Sequence, residues 1–418
     1  MHARWMDHRR IHSGRRLPVF NRQAPRWAHT LPSAIALMAP FDLLASLAMD
    51  IYLPVVPLMP NALGASPTLV QLTLSIYMLL LGIGQLLFGP LSDRIGRRPV
   101  LLLGALLFTV ASFALALSSS GGAFLAWRTV QAVGASAALV ATFATVRDVY
   151  ADTAEGASLY GLFASMLAFV PALGPMLGAL VATAAGWRVI FVLLGVLGAV
   201  AGLRAQRQWQ ESRPASGAEA GPALQRVLRS GAFWAYTLGF SAAMGTFFVF
   251  FSIAPRVLVE RMQYSQITFS LAFATVALVM ILTSRVAKRF IARWAVRGTF
   301  LRGLCVMMVG VLLMALAAVF PLSFASVVLP MWGIAVGLVM VVSVAAHGAL
   351  RDFADASGTA VALYYAVQSV IVAGFGTLAT VLLPGDTVWP LVAYGLLLPL
   401  ASLIAVAALR CHIALGSE

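Results

Sequence analysis

The chain has 418 residues, 61% hydrophobic and only 10% charged, with a mean hydropathy of +0.93. Water-soluble domains run at roughly 45–50% apolar and about 25% charged residues, so this chain has too little polar surface for water, and lipid is the solvent that fits. A net charge of +14 would suggest nucleic acid as partner for a soluble protein; here the arginines fall between apolar runs, where they read as a topology signal, and no nucleic-acid partner is expected.

Residues 1–30 are Arg-rich and lack a long apolar core, which predicts a basic cytoplasmic tail rather than a secretory signal. A spanning helix needs about 20 mostly apolar residues. Such runs fall at 31–58, 68–91, 99–119, 122–147, 157–183 and 187–207, then at 232–256, 266–290, 300–319, 322–346, 358–383 and 387–410. They are apolar on nearly all sides, as spanning helices are, whereas barrel strands would alternate in polarity. The fold class expected is therefore all-α, with 12 transmembrane helices in two six-helix bundles. The domain reading is a tail at 1–30, an N-terminal bundle at 31–207, a cytoplasmic central loop at 208–231, a C-terminal bundle at 232–410 and a cytoplasmic C-terminus at 411–418. With the N-terminus inside, the inner segments hold about 24 Arg and Lys and the outer ones about three, so both termini are expected in the cytoplasm.

Span one carries two acids. Asp42 has apolar neighbours, which disfavour the charged carboxylate and suit a group that takes and releases a proton. Asp50 lies near the outer end, where capping or packing competes with function. Between spans two and three runs Gly89-Pro90-Leu91-Ser92-Asp93-Arg94-Ile95-Gly96-Arg97-Arg98. Its glycines let helix ends approach closely, Asp93 is expected against a helix N-terminus, and its arginines hold the loop inside. The matching place in the second half, Thr283 to Arg289, keeps the charge and lacks the acid. Span four contains Arg128 and Gln131, three apart and on one face. An arginine at that depth is expected to face a cavity or a partner; the alternative is snorkelling to the headgroups. Arg147-Asp148 at the inner end of span four reads as a local ion pair.

Span five holds Gly161 and then Gly174-Pro175-Met176-Leu177-Gly178, a combination that bends a helix and lets another pack closely. Span seven carries Phe247, Phe248, Phe250 and Phe251, of which one or two are expected to face a cavity. In span eleven, Tyr365 and Gln368 are three apart and could share a cavity face beside Tyr364. The two cysteines, Cys305 and Cys411, and six scattered histidines give no metal spacing. No cofactor, metal or catalytic residues are expected, and without a clustered nucleophile the chain does not read as an enzyme.

The loop at 89–98 resembles the cytoplasmic signature of the major facilitator superfamily, and Arg128-Thr129-Val130-Gln131-Ala132-Val133-Gly134 resembles its intramembrane arginine motif. Span five resembles the antiporter motif of drug exporters, with Val170 and Ala179 in place of two glycines. Met49-Asp50-Ile51-Tyr52-Leu53-Pro54 resembles the bicyclomycin/chloramphenicol branch of twelve-span drug:proton antiporters. The stretches at 41–50, 141–150 and 245–252 are similar to florfenicol and chloramphenicol exporters, although His347 and the basic tail depart from that pattern. The resemblance implies proton-driven export of phenicol antibiotics by a monomer in a bacterial inner membrane. It marks Asp42 and Arg128 as proton-coupling residues. Asp42, Tyr52, Gln131, Phe247, Phe248, Tyr365 and Gln368 become candidate substrate contacts, and Gly89, Asp93, Arg94, Gly96, Arg97, Arg98, Gly174, Pro175 and Gly178 become conformational motif positions. The alternative is an exporter or symporter of another small neutral or aromatic metabolite.

Overall fold

Hydrocarbon offers a backbone no hydrogen-bond partner but itself, so each apolar run has to be helical. The computed structural model describes residues 27, 29–150, 154–212, 221–320, 323–353 and 357–415, and among these there is no strand. Most of the basic tail and residues 213–220 of the central loop lie outside the described residues. In chain order the helices are α1 (Leu31–Asp50), α2 (Met59–Leu63), α3 (Pro67–Ile95), α4 (Arg97–Leu117), α5 (Gly121–Tyr150), α6 (Ala154–Ala185) and α7 (Trp187–Gln208), then the short α8 (Gly221–Leu228), then α9 (Gly231–Pro255), α10 (Gln266–Ala317), α11 (Phe324–Leu350), α12 (Ser357–Leu382) and α13 (Trp389–Leu415).

The 52 residues of α10 would run about 78 Å at 1.5 Å per residue, more than twice a hydrocarbon core of about 30 Å. Ala295, at φ 54° and ψ 178°, breaks it into two spans, 266–294 and 296–317. The polar connection expected between spans eight and nine is therefore mostly helical.

Span one differs from its expected continuous helix over 31–58. The α-helix stops at Asp50, and Leu53–Leu58 form a 3-10 turn leading into α2. Pro54 and Pro57 supply no backbone N–H there, so an α-helical ladder cannot continue. The central connection is also more ordered than a flexible loop: Trp209 and Ser212 are buried, and α8 packs on α12 and α9.

The surface is that of a lipid-soluble body. Leu87, Leu106, Val200 and Leu397 are among many large apolar side chains more than half exposed. Within each half the same construction recurs: α4 lies on α5 through Gly104 and Gly134, and the second part of α10 lies on α11 through Gly303 and Gly337. Between the halves, α3 lies against α12 and α6 against α10. Hydrogen bonds cross at Thr377 Oγ1 to Ser75 Oγ (2.6 Å) and at Ser270 Oγ to the Pro175 carbonyl (3.2 Å).

Gly178 fixes the approach of α6 to α1. A Cβ there would collide with the Ile51 carbonyl oxygen, a backbone atom that cannot swing aside. Gly178→Ala is expected to force the two helices apart at a cost of about 1–3 kcal/mol. A fall in the melting temperature of the purified protein checks this, and an unchanged value would mean that α6 shifts freely.

Candidate functional site

Arg128 on α5 is fully buried. A cation at such depth costs about 2.5–3.5 kcal/mol on insertion scales, so what surrounds it defines the site. Its Nη1 donates to the Ala48 carbonyl of α1 (3.1 Å) and to Gln131 Oε1 one turn along α5 (2.6 Å). Gln131 is itself held, because its Nε2 donates to Ser112 Oγ (2.8 Å) and Ser112 donates to the Phe108 carbonyl (2.6 Å). The rings of Tyr77 and Tyr52 lie 4.4 and 5.2 Å from the guanidinium carbon, within cation–π range. Tyr77 is anchored by donating its hydroxyl hydrogen to the Ala45 carbonyl of α1 at 2.8 Å, and the Tyr52 hydroxyl meets Thr73 Oγ1 at 3.3 Å. Nε and Nη2 of Arg128 have no hydrogen-bond partner among the described residues. Aromatic faces and two neutral acceptors, with no carboxylate, thus surround this cation.

Asp42 and Asp50 are both buried on α1, 8% and 6% exposed. Neither carboxylate has a hydrogen-bond or ion-pair partner among the described residues. Asp50 packs against α6, where a Cβ on Gly174 would come within 2.8 Å of the Asp50 Cβ. The structure therefore brings Arg128, Gln131 and Tyr52 together and keeps both acids out of ion-pair contact with the arginine. Tyr52 is fully enclosed in the first half, its ring 5.8 Å from Phe124 and 5.7 Å from Phe191. Tyr77 and Ser112, which complete the arginine's surroundings, were not singled out from the sequence. A tyrosine and a serine inside apolar runs look like packing until the helices facing them are known.

The aromatic run of α9 is buried throughout. Phe247 packs on Phe251 at 4.5 Å between ring centres, Phe250 and Phe251 pack on Phe273, and Phe248 lies against Gly376 of α12. On α12, Gln368 is 4% exposed and its Oε1 accepts from the Ser369 hydroxyl at 3.4 Å. Tyr364 is fully buried and stacks on Phe240 of α9 at 4.7 Å. Tyr365 is 39% exposed, its ring edge-on to Tyr364 at 5.3 Å and to Phe240 at 6.0 Å.

The glycine-and-arginine loop is tied down at three points. Gly96 caps α4 at φ 108°, a conformation that favours glycine, and it has no side chain with which to satisfy the first N–H groups of the helix. Glu211, from the connection after α7, does so: its carboxylate accepts from the backbone N–H of Arg97 (2.8 Å) and of Arg98 (3.2 Å). Asp93, expected at a helix N-terminus, instead pairs with the Arg97 side chain at 2.5 Å from the last turn of α3. Asp148 bonds Arg97 at 2.8 Å, closer than its chain neighbour Arg147 at 3.5 Å, so the local pair read from the sequence is the weaker half of a longer-range one. Arg98 reaches the Gln206 carbonyl at 2.8 Å, and Gly89 sits beside open space.

Arg97 is 1% exposed and Asp148 5%, while Asp93 is 49% exposed. Removing a buried partner costs about 3–5 kcal/mol, and an exposed one about 0–1 kcal/mol. Asp148→Asn is thus expected to lower thermal stability several-fold more than Asp93→Asn, measured side by side in the same detergent. Equal effects would contradict the burial argument.

Among the described residues, no group of His, Cys, Asp and Glu could hold a metal ion. The pattern described as Major Facilitator Superfamily matches residues 42–377. The "Chloramphenicol resistance protein" of Pseudomonas aeruginosa is 48% identical over 375 residues, 89% of each chain. The "Multidrug resistance protein MdtL" of Klebsiella pneumoniae (strain 342) is 27% identical over 239 residues, 56% of this chain and 61% of that relative. Among solved structures, a D-xylose-proton symporter superposes with a TM-score of 0.71 at 16% identity, over 90% of this chain and 97% of that one. A peptide transporter of the POT group superposes at 0.73 and 14% identity, over 92% and 94%. At these identities the superpositions speak for the fold alone.

Proposed function

Because the chain belongs to the Major Facilitator Superfamily, we propose that it is a proton-coupled drug exporter that carries phenicol antibiotics, chloramphenicol and florfenicol among them, out across a bacterial inner membrane. The observation that carries this reading is the 48% identity to a chloramphenicol resistance protein along 89% of the chain. The site chemistry supports it. Asp42 is a buried acid without a partner among the described residues, which suits a group that exchanges protons, and Arg128 sits on the same helix bundle in surroundings that hold its charge in place. Both termini are assigned to the cytoplasm from the asymmetry of Arg and Lys.

In that orientation the end where α1 finishes faces outward. There the 3-10 turn Leu53–Leu58 meets the turn Arg256–Arg261, and α6 meets α10. The two halves are thus in contact at that end. A neutral drug binds as Asp42 gives up its proton inward; rocking of the two halves exposes the site; a proton taken from outside releases the drug. The protein acts as a monomer, and the drug crosses unchanged.

The test is transport by purified protein in liposomes. An imposed gradient, acid on the side corresponding to the cell exterior, is expected to drive chloramphenicol accumulation that a protonophore abolishes. Transport indifferent to the gradient defeats the proton-coupled reading. Recovery of modified drug would point to an enzyme, and proton flow in the same direction as drug would point to a symporter.

A further inference from the structure

Two buried polar atoms on one face of α12 lack partners, and both can donate. The Tyr364 hydroxyl and the Gln368 Nε2 have no hydrogen-bond partner among the described residues. They are four apart, hence one above the other on the helix, and their residues are 0% and 4% exposed. Leaving such a group unsatisfied in the interior carries a substantial penalty, so each needs an explanation.

The surroundings are built rather than accidental. Ser369 donates to Gln368 Oε1 at 3.4 Å, which orients the carboxamide, and Nε2 is left without a partner. Phe240 stacks on Tyr364 with the ring planes 25° apart, and the edge of Tyr365 closes on both rings at 5.3 and 6.0 Å. The cluster also lies on the seam between the halves, since Ser369 packs directly on Gly82 of α3. Gln368 is eleven residues into α12 and Asp42 eleven residues into α1, each about 17 Å along its helix and so near the middle of the membrane.

We propose that Tyr364, Gln368 and Phe240 form the subsite that reads the para substituent of an aromatic drug. Two buried donors without partners favour a ligand group that accepts hydrogen bonds, and the aromatic walls select the ring that bears it. Nitro and sulfonyl oxygens are both of this kind: they accept hydrogen bonds and donate none. One subsite would therefore take both nitro-bearing and sulfonyl-bearing phenicols. Ser369 is a positioning residue, which acts by orienting the carboxamide. The proposal rests on the phenicol reading above.

The experiment measures binding of chloramphenicol and of its analogue lacking the nitro group to purified full-length protein, together with the melting temperature. Wild type is expected to prefer the nitro compound about tenfold or more. Tyr364→Phe and Gln368→Met are each expected to weaken chloramphenicol binding about five- to tenfold and to leave the analogue unaffected, with the double variant losing the preference. Removing an unpaired buried hydroxyl is also expected to leave the melting temperature unchanged or raised in Tyr364→Phe, so that weaker binding there is not a folding defect. A double variant that keeps the wild-type preference, or that loses both compounds equally, overturns the inference. Should the variants fail to fold, the wild type still decides: equal binding of both compounds overturns the inference alone. Binding of neither overturns the phenicol reading and the inference with it.

Discussion

Cells carrying Asp42→Asn are expected to be as sensitive to chloramphenicol as cells without the gene, although the protein reaches the membrane in normal amount. Asparagine keeps the size and polarity of the side chain and removes only the exchangeable proton. One charge crossing 100 mV is worth about 2.3 kcal/mol, so at roughly 150 mV one proton provides about 3.5 kcal/mol, equivalent to a drug gradient of several hundred-fold. Without that exchange the transporter can only equilibrate drug across the membrane, and the whole gradient is lost. The paired measurement is drug exchange in liposomes without a proton gradient, which is expected to survive in Asp42→Asn. Wild-type resistance in the mutant would remove Asp42 from the coupling role, and loss of passive exchange as well would make it a binding or folding residue.

The second large effect concerns Arg128. Arg128→Met is expected to reduce transport more than about a hundredfold while leaving thermal stability unchanged or improved. Methionine fills much of the same space between Tyr52 and Tyr77 and brings no charge into a fully enclosed place. The native arginine leaves two of its nitrogens unpaired there, an outlay in stability that only function would retain. Arg128→Lys separates charge from shape. Lysine keeps the cation and loses the planar fork that spans Ala48 and Gln131 and stacks on the two rings. A rate about ten- to a hundredfold below wild type is expected, because hydrogen bonds to a charged group and cation–π contact are each worth about 0.5–3 kcal/mol. Thermal melting and liposome transport on the same preparations check both variants. Full activity in Arg128→Lys would mean that charge alone matters.

The spans could be read from the sequence because lipid imposes one solution on any long apolar run. Every run except the end of span one became the helix expected of it, and that exception follows from Pro54 and Pro57. Arg128 and Gln131 could be paired because three-residue spacing is a property of the helix itself. What lay beyond reach was decided between helices. Glu211 caps a helix that starts 114 residues earlier in the chain, and nothing local in Gly96-Arg97-Arg98 announces its partner. Tyr77 resembles any aromatic in a span until α1 and α5 are laid against it. On α12, spacing alone offered both Tyr364 and Tyr365 as neighbours of Gln368. The fold separates them: one is fully buried and stacked on Phe240, the other 39% exposed.

The ion pairs seen among the described residues each lie within one half of the protein, as with Arg97 and Asp148 in the first and Arg256 and Glu260 in the second. Among the described residues, the hydrogen bonds seen across the seam are between neutral groups, hydroxyl on hydroxyl at Thr377 and Ser75 and hydroxyl on carbonyl at Ser270 and Pro175. Mobile ions screen charges and have little purchase on such contacts. Those two contacts should therefore hold equally well in dilute and in saline surroundings.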